Sequence, residues 1–108
     1  MLPRTPPPAA LAFVAKFTDI DSELVHLAAI CRVNLLDDDK VERVIRNDES
    51  VCGAENHLAF GKLRELVLLH FAVRTRAVAE IGELQTRAII DDVVATIQHR
   101  LGIARRGH

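Results

Sequence analysis

Apolar residues recur along this chain at spacings of three and four, the period of a helix with one buried face. Leu24, Leu27, Ala28, Cys31 and Leu35 make one such stripe. Leu63, Val67, Phe71, Val78 and Ile81 make a second, and Leu66, Leu69 and Val73 widen it until residues 66–73 are apolar on nearly every side. A third runs through Ile89, Ile90, Val93, Val94, Ile97 and Leu101. Between them lie residues that start and stop helices. Asp21 or Ser22 suits an N-cap. Asp39 with Glu42 comes close to a capping box, and Glu42 with Arg46 is a favourably oriented i,i+4 pair. Gly82 interrupts, and Gly102 suits a helix end.

The pattern therefore predicts an all-α fold: a compact bundle of about five helices with a long central one. The expected segments are a short helix at 9–17 and one from Asp21 or Ser22 through Leu35. A short helix ends near Asn47, a long one starts near Asn56, and the last ends at Gly102. Residues 1–8 hold all four prolines and read as a flexible, extended arm. Residues 9–102 form one helical domain, and 103–108 a basic tail. One stretch admits a second parse. "RTRAVAEI" and "ELQTRAII" contain β-branched residues and flank Gly82, so they also suit two strands of a small hairpin. That parse gives a winged-helix α+β fold, with a helix-turn-helix over about 38–70 and a wing at 74–90.

Composition sharpens the helical reading. Ala, Leu, Val and Ile dominate an apolar content of 49%, while Trp and Tyr are absent. The lack of Trp and Tyr argues against a stacking platform for single-stranded nucleic acid or sugars. A chain of 108 residues suits one domain and buries roughly two thirds of its unfolded surface, enough for a core without a metal. Fourteen Lys and Arg against fifteen Asp and Glu leave no global attraction for nucleic acid or an anionic membrane. No stretch approaches the roughly 20 apolar residues of a membrane span. The first 17 residues loosely imitate a secretory leader, but three prolines interrupt them and Lys16 ends the apolar run. The expected setting is cytoplasmic.

Reactive side chains gather in "RNDESVCGAENHLAFGK". Cys52 and His57 are a candidate thiolate–imidazole couple, with Asn56 or Glu55 to orient the ring. Asp48, Glu49 and Glu55 would oppose a thiolate there. Cys52, Glu55 and His57 also lack the spacing that presents metal ligands from one helical face. The composition is that of a turn which stops one helix and caps the next, and that is our reading. Cys31 is taken as a small apolar residue on its stripe, with a bridge to Cys52 left open. His26 and His70, beside apolar residues, read as hydrogen-bonded structural histidines. Glu80 and Glu83 lack the ExxH partners of a di-metal site. No phosphate loop or hydrolase motif is present. We assign no catalytic residue, cofactor or metal.

Two functions remain. The favoured one is a small non-enzymatic interaction or regulatory protein that self-associates as a homodimer, or binds a protein partner, through the faces at 63–73 and 89–101. Its interface residues would be Leu66, Leu69, Val73, Ile90, Val94 and Ile97. The less favoured one is a DNA-binding regulator contacting nucleic acid through Lys62, Arg64, Arg74, Arg76 and Arg87. The candidate recognition helix becomes wholly apolar soon after Arg64, which counts against it.

Overall fold

The computed structural model describes residues 8–52 and 57–105, with side chains through Arg100. They form four α-helices and a 3₁₀ turn, with no strand among the described residues: α1 Pro8–Cys31, α2 Asp38–Ile45, the 3₁₀ turn Glu49–Val51, α3 His57–Ile81 and α4 Glu83–Arg105. The all-α reading therefore holds and the hairpin parse does not. Residues 74–81 continue α3, and α4 begins on the residue after Gly82. Gly82 makes the break with φ +88°, a conformation that costs glycine nothing. Its carbonyl accepts both the backbone N–H of Thr86 at 3.1 Å and the Thr86 hydroxyl at 2.7 Å.

The expected division near Asp21 is absent, which is why four α-helices stand where five were expected. Phe13, Phe17, Ile20, Leu24, Leu27 and Cys31 are all buried at helical spacing, so the stripe never changes face. Continuous burial overrides the helix-start signal at Asp21 and Ser22. Two other boundaries also move. Asp37, not Asp39, caps α2 by accepting the Asp39 N–H at 3.0 Å. The backbone of α4 continues past Gly102 to Arg105. The anticipated proline arm falls outside the described residues except for Pro8, which opens α1. Of the basic tail, 106–108 lie outside them.

The helices α1 and α2 end alike. Arg32 (φ 57°) and Asn47 (φ 66°) turn left-handed, and the following N–H reaches back five residues: Val33 to Ala28 at 2.9 Å, Asp48 to Arg43 at 2.9 Å. Asparagine tolerates this conformation, whereas arginine is strained in it.

Two apolar clusters share α1 and α3. One joins the C-terminal half of α1 to α2 and the first half of α3 around Val44 and Leu63, both fully buried. A bond between Cys31 and Cys52 closes its edge, so the pairing left open by the sequence is made. The other joins the start of α1 to the second half of α3 and to α4 around Phe17, Ala77 and Val93. Its principal extents, 53 × 39 × 20 Å, make the molecule only two helix diameters thick. No helix among the described residues is long and apolar enough to cross a membrane.

Candidate functional site

A half-open groove of about 890 Å³ lies between α1, α3 and α4, closed at one end by residues 32–36. It forms because α4 packs its Val93 and Ile97 side against the second cluster and leaves Ile90 and Val94 only half-buried. Val25 of α1 and Phe71 of α3 line the other walls. The lining is mostly aliphatic, which is the usual makeup of a ligand site of this size.

The groove also contains a buried ionisable side chain. Asp21 is 1% exposed in the middle of α1 and is one of the lining residues. Its Oδ1 accepts the His70 Nδ1 proton at 2.8 Å. The His70 ring is held by Phe17, with centroids 5.2 Å apart, and by the perpendicular ring of Phe71 at 6.1 Å. Asp21 Oδ2 is buried and has no hydrogen-bond partner among the described residues. An acceptor left this way is costly, so buried polar atoms generally carry a partner.

Other charges stand at the rim. Arg32 and Arg87 are exposed, and half-buried Arg74 approaches Glu83 to 4.0 Å. Glu83 therefore faces α3 rather than pairing with Arg87. Since Gly82 separates them, Glu80 and Glu83 belong to different helices, and Glu80 holds Arg76 at 3.2 Å.

The structure distributes the predicted interface residues unevenly. Leu66 and Ile97 are buried in the chain's own clusters, and Val73 packs against both. Ile90 and Val94 line the groove. Leu69 is 47% exposed, beside Leu68 at 39%, on the outer side of α3. The residues considered for DNA contact do not lie on one common surface, and Arg87 stands with Arg74 at the groove. At about 100° per residue, Lys62 and Arg76 fall on the outer side of α3 and Arg74 toward the groove. Arg64 turns to α2, where its Nε donates to the Ile45 carbonyl at 3.1 Å.

The polar stretch at 46–62 is a connection between helices. Asp48 caps the 3₁₀ turn through the Ser50 N–H at 3.1 Å and accepts the Arg43 Nε proton at 2.9 Å. Hydrogen bonds from Ser50 and Arg43 lower its carboxyl pKa from 3.8 to about 2. Cys52 is bonded to Cys31 and His57 pairs with Glu49, so the Cys52–His57 couple is not formed. Glu55 and Asn56 lie outside the described residues.

The sequence pattern marked His70 as structural but gave Asp21 the wrong role, an N-cap, and read His26, which is exposed, as a structural histidine too. One signal was available. Asp21 and His70 each occupy a position where an apolar stripe requires an apolar residue. The chain matches no protein-family model, no curated protein and no solved structure.

Proposed function

We propose that this is a non-enzymatic helical interaction protein which pairs with a second copy of itself along the outer side of α3. The observation that carries this reading is the exposure of Leu68 and Leu69 in mid-helix, with exposed Ala72 beside them. Exposed apolar residues side by side on a helix mark an interaction surface more than scattered ones do.

The flanking charges support a second copy as the partner. Lys62 and Glu65 lie on one side of the apolar turns, Arg76 and Glu80 on the other, all exposed. Within the chain they pair as Lys62–Glu65 at 3.7 Å and Arg76–Glu80 at 3.2 Å. In an antiparallel pair centred between Leu69 and Ala72, Glu65 meets the second copy's Arg76, and Lys62 the second copy's Glu80. The same patch thus complements itself, as a two-fold interface requires. Gly61 lies on this side with open space where a side chain would project. Of the two faces anticipated from the sequence, this reading keeps the one on α3. The Cys31–Cys52 bond suits an oxidising compartment better than the expected cytoplasm.

Sedimentation equilibrium tests the pairing. Leu69→Glu is expected to weaken the dimer at least about tenfold. Glu65→Arg alone weakens it, and adding Arg76→Glu restores it. A monomer at every concentration reached, or a double variant no better than the single, would count against the antiparallel pair.

A further inference from the structure

We infer that the groove between α1, α3 and α4 binds a small amphipathic primary amine, its ammonium at Asp21 Oδ2 and its apolar body along Val25, Ile90 and Val94. This site is separate from the outer side of α3 and does not depend on dimerisation.

The inference begins with Asp21. A carboxylate this far from water needs donors on both oxygens, and His70 supplies only one, at Oδ1. Oδ2 is left without a partner in a residue that lines a cavity large enough for a ligand. A donor from the groove that reached this closed-off oxygen would complete the site. Its body must be apolar, because the walls on either side of Asp21 are aliphatic.

The charge of the head group follows from burial. Of the charged residues lining the groove, Arg32, Arg87 and Asp91 are exposed and Arg74 is half-buried beside Glu83. Solvent and salt screen the exposed charges, whereas a buried carboxylate acts at short range through little water. The one fully buried acidic group at the floor is Asp21, with the His70 ring on Oδ1 and Oδ2 without a partner among the described residues. An ammonium gives Oδ2 a charge-assisted hydrogen bond, stronger than one from a neutral hydroxyl.

Three probes with one apolar body separate the possibilities: hexylammonium, hexanol and hexanoate, titrated into methyl-labelled protein and followed by NMR. Hexylammonium is expected to bind saturably, shifting the His70 ring and the Val25, Ile90 and Val94 methyls. Hexanol and hexanoate should bind at least about tenfold more weakly, the loss of one charge-assisted hydrogen bond. Asp21→Asn should remove this preference while leaving the weak binding of hexanol, and methyl dispersion reports whether the variant is folded. Equal binding of the three probes would reduce the groove to an apolar cavity. Tighter hexanoate would mean that the rim arginines select an anion, and no saturation would leave Oδ2 to an ordered water. Each of these results overturns the inference, and the comparison on the unmodified protein needs no variant.

Discussion

The two halves of α3 are held by different means. Around its first half the neighbours beside the end of α1 are short: α2 has eight residues and the 3₁₀ turn has three. Helices of that length are marginal alone and bury little. Directional bonds secure them instead. Arg64 holds the end of α2, Asp37 and Asp48 cap the two elements, and the Cys31–Cys52 bond closes the edge. Around the second half the neighbours are α1 and α4, each more than 20 residues long. Apolar stripes do most of the holding there, joined by the turn at Gly82, the Asp21–His70 bond and the Arg74–Glu83 contact. Short elements need bonds with direction, while long ones can rely on area.

The largest test of this contrast is removal of the covalent bond. Closing a loop between residues 21 positions apart stabilises a fold by about 3 kcal/mol through the unfolded chain. Replacing Cys31 and Cys52 together by Ala should lower stability by about that amount, read by denaturant unfolding. Amide exchange should quicken first over 38–52, while amides near Val93 and Ile97 keep their protection. Uniform loss along the chain would erase the distinction between the halves.

Smaller effects should come from the left-handed residues, and with opposite signs. Arg32→Gly relieves strain at the end of α1 and should stabilise by about 1 kcal/mol. Gly82→Ala places a side chain at φ +88° and should destabilise by about 1 kcal/mol, although nothing crowds the new Cβ. Thermal unfolding of the pair decides this. Two shifts of the same sign would show that backbone conformation does not govern these turns.

The smallest effect is a titration. The Asp48 carboxyl titrates at about 2 when folded, against 3.8 ordinarily, so folding favours its charged form. Its contribution is complete above pH 3.8 and fades as the pH falls toward about 2. Carboxyl carbon shifts of Asp48 and the Arg43 Nε resonance should move together in that window. An ordinary midpoint would mean that the Ser50 and Arg43 bonds do not persist in solution.

The residues that carry helical period were partly legible from the chain: Leu24, Leu27, Cys31, Leu63, Val67, Val93 and Ile97 are buried where spacing placed them, whereas Leu35 lies beyond α1 and Leu69 and Phe71 are exposed. Local punctuation was less so. "FTDID" resembles a helix start, yet it lies inside α1 because Phe17, Ile20 and Leu24 bury one unbroken face. Gly102 resembles a stop and is passed through. Asn47 and Gly82 worked as expected because each adopts the left-handed conformation its type tolerates. The groove was not legible, since it depends on how far α4 stands from α1. Nor was the bond between Asp21 and His70, 49 positions apart. Only their places in the stripes hinted at it.

The Asp21–His70 bond also acts as a vernier mark between α1 and α3. Leu, Ala, Val and Phe along that seam would fit nearly as well after a slide of one helical turn, about 5.4 Å. A polar pair does not tolerate the slide, because it would bury both groups against hydrocarbon. Only one alignment of the two longest helices satisfies Asp21 and His70 together. The Asp21–His70 hydrogen bond thereby helps hold the α1 and α3 walls of the groove in one register.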